Sequence, residues 1–159
     1  MRLWQLQDVL KITRKLTIAK NALLEFEGGV KDRVVSLTGA TTLTETQSGS
    51  QLVLNLAGGF TTTLPKPKSG LKYRFTVGIN PTTSYYVVTD GGDNIFYGSI
   101  QESETDSTED GPTAAGADSI EFTAAAAVPG DYVEVWSDGT NWYIDGMTAA
   151  DGGIAIATT

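Results

Sequence analysis

The stretch GDYVEVWSDGTNWYIDG, from Gly130 to Gly146, contains the side chains of this protein that are best suited to chemistry. Two carboxylates, Glu134 and Asp145, are spaced so that two adjacent strands would bring them onto one face, and paired carboxylates carry out glycoside hydrolysis. The same stretch holds tryptophans and tyrosines, whose rings stack on a sugar or fill a protein contact. Its use therefore depends on the elements that position these groups.

The Asp138–Gly139 pair predicts a β-hairpin with a two-residue type I′ turn. Successive side chains of a strand point to opposite faces, so the hairpin divides into two sets of residues. One face is purely apolar and is predicted to be core; it consists of Val133, Val135, Trp142 and Ile144. The opposite face mixes aromatic and polar groups; it consists of Tyr132, Glu134, Trp136, Asn141, Tyr143 and Asp145.

A contact with another subunit or a partner is the favoured use of this mixed face, because aromatic rings with polar tips suit a half-buried surface. Two alternatives stay open: cover by a loop or by the N-terminal segment of the same chain, and a platform for a sugar. Catalysis is the weakest use. Glu134 and Asp145 are predicted to be diagonal neighbours, and no nearby base or second acidic cluster accompanies them. We expect a binding protein and not an enzyme.

The composition excludes several other classes of function. The 159 residues include no histidine and no cysteine, which argues against ordinary zinc sites, Ser-His-Asp or Cys-His catalysis and disulfides. We expect no cofactor and no metal. The net charge of −8 argues against a nucleic-acid partner. No apolar run reaches the roughly 20 residues that cross a bilayer, and the N-terminus lacks the apolar core of a signal peptide, so we expect no membrane partner and a cytosolic origin.

Charge divides the chain into a basic arm and an acidic body. Residues 1–35 hold seven basic and four acidic residues, a net charge of +3, whereas the remainder holds four basic and fifteen acidic residues, a net charge of −11. The arm has no steady periodicity, so we expect it to be extended and to acquire structure on a partner. The residues expected to dock it are Arg2, Trp4, Lys11, Arg14, Lys15 and Lys20.

Residues 36–159 are predicted to form an all-β domain of about eight strands. Short segments rich in β-branched and aromatic residues alternate with Gly, Pro, Asn and Asp turn signals, which is typical of an antiparallel sandwich, a jelly roll or a small barrel. A long loop at residues 101–119 carries six acids and no base. A solvated loop is favoured there over a calcium site, since its acids are spread along the chain.

Two motifs carry a resemblance to a known group of proteins. They are SGSQLVLNLAGGFTTTLPKPKSGLKYRF, from Ser48 to Phe75, and GDYVEVWSDGTNWY, from Gly130 to Tyr143. In these motifs the chain resembles small virion proteins of tailed bacteriophages, in particular capsid decoration (cement) proteins, and related β modules of phage tail and head fibres. The resemblance covers most of the chain but leaves out the basic arm.

The resemblance implies a structural protein of the virion, made in the host cytoplasm and located on the capsid surface. It would bind the major capsid protein and stabilise the shell against internal pressure, often as a homotrimer. The basic arm would then dock on an acidic shell, and the mixed hairpin face would serve the contacts between subunits. The alternative is a tail- or head-fibre module that binds a host glycan. The absence of long repetitive shaft segments favours the decoration protein.

Overall fold

The structure, a computed structural model, describes residues 31–103 and 116–158. The chain divides into two units, Met1–Lys31 and Asp32–Thr159. The described residues belong to the second unit, with the exception of Lys31. Most of the predicted arm and the middle of the predicted acidic loop therefore lie outside the described residues.

The described residues form eleven β-strands and one short 3-10 helix, Glu45–Gln47. The strands are β1 (Val34–Leu37), β2 (Thr41–Thr42), β3 (Gln51–Leu54), β4 (Thr61–Thr63), β5 (Lys72–Val77), β6 (Tyr85–Val88), β7 (Phe96–Glu102), β8 (Ser119–Phe122), β9 (Tyr132–Ser137), β10 (Trp142–Thr148) and β11 (Ile154–Ala157). The all-β prediction is confirmed. The count exceeds about eight because VVSLTGATTLTE divides into β1 and β2, and because the C-terminal segment adds β11.

The strands are arranged in two sheets. The first has six strands in the order β1-β3-β5-β9-β10-β7, and the second has five in the order β11-β8-β6-β4-β2. Apolar side chains from both sheets form one buried cluster, so the domain is a β-sandwich. The largest fully buried side chains are Trp142, Tyr73, Tyr85, Phe75, Phe96 and Phe122.

The strand pairing is mixed: the predicted sandwich is confirmed, and the predicted antiparallel pairing holds for part of each sheet. From β1 to β9 each strand lies in the sheet opposite to that of the strand before it. Within β1 to β6, strands two apart in sequence are neighbours in one sheet and run parallel, because the chain has reversed twice between them. The last hairpin, β9–β10, is antiparallel as predicted.

The hairpin has a longer turn than the predicted two residues. Ser137 pairs with Trp142, so four residues, 138–141, connect the strands. Relative to the predicted register, β10 is shifted by two positions along β9. A shift of two preserves the side-chain alternation, and the predicted core residues Val133 and Val135 are fully buried, as is Trp142. Ile144 is also buried.

The predicted acidic loop, residues 101–119, begins and ends inside strands. β7 continues to Glu102, and β8 begins at Ser119. The Oε1 atom of Glu102 accepts the backbone N–H of Gly152 at 2.8 Å, which joins the end of β7 to the turn before β11. The acids at positions 104, 106, 109 and 110 lie outside the described residues.

Candidate functional site on the six-stranded sheet

The turn between β9 and β10 is held by the side chain of Asp138. Its Oδ1 accepts the backbone N–H groups of Thr140 and Asn141, each at 2.8 Å, and its Oδ2 accepts the hydroxyl of Tyr143 at 3.0 Å. The hydrogen bonds from the Asn141 and Thr140 amides lower the pKa of Asp138, because they stabilise the carboxylate. Gly139 has a φ of 109°, a conformation that side-chain-bearing residues rarely adopt.

Trp136 and Tyr143 form a stacked aromatic pair on the outer face of the sheet. They are directly opposite each other on β9 and β10, with ring centroids 4.5 Å apart and an angle of 26° between the ring planes. The hydroxyl of Tyr143 is fixed by Asp138. Trp136 nevertheless remains 47 % exposed, so a large and well-positioned ring is presented to solvent.

Two cations of β5 lie beside the aromatic pair. The Nζ atom of Lys72 is 2.8 Å from the Oε1 atom of Glu134 on β9. The guanidinium carbon of Arg74 lies 3.7 Å from the centroid of the Tyr132 ring, a cation–π contact. Each cation therefore rests against β9, and the aliphatic part of each side chain covers the neighbouring strand.

Asp145 on β10 is the acidic group of this surface without a cation beside it. It pairs directly with Glu134 across the strands, and not diagonally as predicted. Among the described residues, Glu134 forms an ion pair with Lys72, whereas Asp145 forms none. Asp145 is also exposed. It therefore presents a negative charge at the surface that its immediate surroundings do not neutralise.

The outer surface of four neighbouring strands makes one continuous patch, which we call the contact face. The register of β5, β9, β10 and β7 places the following outward residues in it: Lys72, Arg74, Thr76, Tyr132, Glu134, Trp136, Tyr143, Asp145, Met147, Tyr97, Ser99 and Gln101. Met147 is 43 % exposed. Tyrosine, tryptophan, methionine and arginine are enriched in protein–protein interfaces, and the contact face has all four.

The structure brings five of the six predicted contact residues together on the contact face. They are Tyr132, Glu134, Trp136, Tyr143 and Asp145. The sixth, Asn141, lies in the turn before β10, because the turn has four residues. No described contact tests whether these residues meet a partner, so that role stays a prediction.

Sequence reasoning missed Lys72, Arg74 and Tyr97, which other strands contribute to this face, and it also missed Met147 near the end of β10. Alternation in KYRFTV and FYGSIQE marks each of the first three as outward once the neighbouring residues are known to be core. No signal in the sequence identified β5 and β7 as the neighbours of the hairpin. The predicted docking residues of the arm, Arg2, Trp4, Lys11, Arg14, Lys15 and Lys20, lie outside the described residues.

A depression of about 250 Å³ lies at the edge of the contact face, between Tyr132 and Met147. Its acidic group, Asp131, is buried and serves the fold. The Asp131 carboxylate accepts hydrogen bonds from the Val128 amide, the Thr148 hydroxyl and the Ala149 amide, at 2.9 to 3.0 Å. These bonds join the loop before β9 to the end of β10. Both oxygens of the Asp131 carboxylate are therefore engaged by the fold, and the depression supports one end of the contact face.

The contact face combines aromatic and charged groups on an open surface. The contact face is an open sheet surface, and the Glu134 carboxylate is occupied by Lys72. Within residues 31–103 and 116–158, no three acidic side chains come close enough together to hold a metal ion. What the face offers is an aromatic centre with cations on one side and an acid on the other.

Comparisons with protein-family models, with curated proteins and with solved structures found no match to this chain. In the part of the chain that the structure describes, no helix has the length and apolar character needed to span a membrane. The class that the fold defines is thus a β-sandwich with one exposed aromatic sheet face.

Proposed function

We propose that the protein is a structural component of a phage virion that binds the outer surface of the capsid and stabilises the shell, and that it works by binding alone. The motifs from Ser48 to Phe75 and from Gly130 to Tyr143 support this proposal by their resemblance to decoration proteins. Both motifs supply strands of the sandwich: the first contains β3, β4 and most of β5, and the second contains β9 and the start of β10.

The observation that carries the proposal is the exposed aromatic centre of the contact face. Trp136 and Met147 are both nearly half exposed, at opposite ends of the contact face, and each exposed apolar group forfeits burial free energy. Tryptophan and methionine are enriched in protein–protein interfaces. The contact face therefore belongs to a protein whose work is assembly.

The shell itself would be bound by the basic arm, residues 1–35, including Arg2, Trp4, Lys11, Arg14, Lys15 and Lys20. Its charge of +3 contrasts with −11 for the remainder of the chain, so an acidic shell would attract the arm and repel the body. If each assembly carries several arms, modest affinity per arm becomes firm binding through multivalency. The partner in this proposal is the major capsid protein.

The test is binding of a variant without residues 1–33 to expanded capsids of the phage that encodes the protein. The truncation leaves β1, which begins at Val34, intact. We expect the variant to keep its thermal unfolding transition and to lose saturable capsid binding. A second variant with Lys11, Arg14, Lys15 and Lys20 replaced by glutamine in the full chain should bind weakly, with a shallower salt dependence. Binding of both variants at wild-type affinity would refute capsid docking by the arm.

A second candidate is a fibre module that recognises a host glycan. The observation that favours it is again Trp136, since an exposed ring beside the polar turn residues Asp138 and Asn141 resembles a stacking platform for a sugar. A glycan array would test this, with Trp136→Ala as the control that removes the platform. Absence of any signal above that of the control would dismiss the glycan module.

A further inference from the structure

We propose that the contact face binds a second copy of itself, with two chains packed face to face about a twofold axis that runs along β9. This deepens the proposed function by naming the partner of the contact face, and the pairing can be tested without a capsid. The charges and the exposed apolar groups each support it.

The charges select the orientation of the two copies. Lys72 and Arg74 lie on β5, on one side of β9, and Asp145 lies on β10, on the other side. A twofold axis along β9 places β5 of each copy over β10 of the other. The alternative axis, in the same plane but perpendicular to the strands, would place β5 over β5 and bring four cations together. Like charges brought together across an interface are strongly unfavourable, so the axis along β9 is favoured.

Under this symmetry Arg74 of each copy faces Asp145 of the other. Arg74, Glu134 and Asp145 form one row across β5, β9 and β10. Because the twofold axis passes along β9, the row of the second copy runs in the opposite direction, with its Asp145 over Arg74 of the first copy. Among the described residues neither Arg74 nor Asp145 has an ion-pair partner within its own chain. The contact would give each of these residues an ion-pair partner, and the twofold symmetry would produce two such ion pairs.

The central acid does not oppose this packing. Glu134 of both copies would lie close to the axis, but each carries Lys72 at 2.8 Å and enters the contact as a neutral pair. An uncompensated charge buried at that position would be strongly unfavourable. The Lys72–Glu134 ion pair within each chain thus neutralises the middle of the contact face, where the two copies would meet.

The exposed apolar groups lie where such a contact would bury them. Trp136 is on β9, so the two indoles would lie beside the axis, in the row of residues between Glu134 and the turn. Met147 on β10 would lie under β5 of the second copy. Both side chains are more than 40 % exposed in the single chain.

The contact face has the size of a small interface. Its four strands, spaced about 4.8 Å apart and about six residues long at 3.3 Å per residue, give a footprint on the order of 380 Å². Standard interfaces bury about 800 Å² per partner, measured over the uneven molecular surface. The contact face therefore supplies about half of a standard interface, a size typical of weak and reversible pairs.

A contact between two identical patches joins two copies and leaves no free patch for a third copy. The homotrimer implied by the resemblance would need two different patches that meet head to tail. The contact face by itself therefore produces a pair, and an assembly that contains it has an even number of chains.

The test is the mass of the full-length protein by sedimentation equilibrium over a dilution series. We expect an even number of chains in the wild type. Arg74→Glu alone and Asp145→Arg alone should each raise the dimer dissociation constant at least about tenfold, since each creates a like-charge contact. The double variant should restore the wild-type value to within a few-fold, because it exchanges the two charges.

The matched controls are Lys66→Glu and Asp151→Arg, which make the same charge changes at exposed positions outside the contact face. They should leave the dissociation constant unchanged, and circular dichroism should show that every variant is folded. A monomeric or trimeric wild type, or a double variant as weak as the single ones, would overturn the self-contact. Capsid binding through the arm is measured separately, so either proposal can fail without the other.

Discussion

Asp138 shows how one side chain sets the geometry of the whole hairpin. The Asn141 and Thr140 amides hold its pKa below the ordinary value of 3.8. A carboxylate with a lowered folded pKa stabilises the fold above its unfolded pKa, and this contribution disappears as the pH falls through the folded pKa. We therefore expect Asp138→Ala to lower the melting temperature at pH 7, and the difference from the wild type to shrink below about pH 3.8. Thermal unfolding at a series of pH values measures this.

Asp151→Ala is the matched control for that experiment, since Asp151 is an exposed carboxylate in a turn. We expect it to change the melting temperature little at any pH. If the deficit of Asp138→Ala stayed constant down to pH 2, the carboxylate charge would not be the source of its effect.

Of the two tryptophans of the hairpin, one packs in the core and the other is exposed on the contact face. Trp142 is fully buried beside Tyr73, with 6.0 Å between the ring centroids, whereas Trp136 is on the opposite face. We expect Trp142→Ala to reduce the free energy of unfolding by about 3–5 kcal/mol, because it removes a large core side chain. Trp136→Ala should cost only about 1 kcal/mol, the value of an exposed aromatic pair.

Urea unfolding at protein concentrations low enough to keep the chain monomeric compares the two variants. Equal losses of unfolding free energy would show that the outer aromatic pair is part of the folding core. In that case Trp136 would no longer support a contact function.

Among the elements, the parallel pairing of β7 with β10 depends on close backbone approach. A Cβ atom added at Gly98 on β7 would collide with the backbone carbonyl oxygen of Ile144 on β10, and the φ of Gly98 is 150°. We expect Gly98→Ala to reduce the free energy of unfolding by about 1–3 kcal/mol or more, since the strands must separate or the backbone must take up strain. Urea unfolding gives the value.

The control for Gly98→Ala is Gly58→Ala. Gly58 lies in a turn, has no positive φ, and has open space where its Cβ would be. This substitution should leave stability nearly unchanged. A tolerated Gly98→Ala would mean that β7 and β10 are less closely paired than the structure has them.

In the whole molecule, the chain crosses repeatedly between the two sheets, so most paired strands are far apart in sequence. β5 pairs with β9, joining Arg74 to Glu134, and β10 pairs with β7, joining Tyr143 to Tyr97. Loop closure must precede such contacts, so sandwiches of this kind fold in milliseconds to seconds. We expect stopped-flow refolding of the full chain to fall in that range. Relaxation within microseconds would contradict the long-range pairing.

The sequence alone determined which residues of the hairpin are core and which are outward. In the hairpin, Val133 and Trp142 were assigned to the core and Trp136 and Tyr143 to the outer face, and the structure agrees even though the turn is four residues long. The reason is that alternation is local: each side chain's face depends on its position along its own strand. A register error of two residues leaves that parity unchanged.

Only the tertiary structure decided which strands are neighbours. Nothing local in KYRFTV specifies that β5 lies next to β9, or that β1, β3 and β5 run parallel. Strand order results from the packing of the whole chain around one core, with most connections crossing from one sheet to the other. That order placed Arg74 and Asp145 on either side of β9, and so gave a mixed aromatic strand face the charge pattern of a surface that fits its own copy.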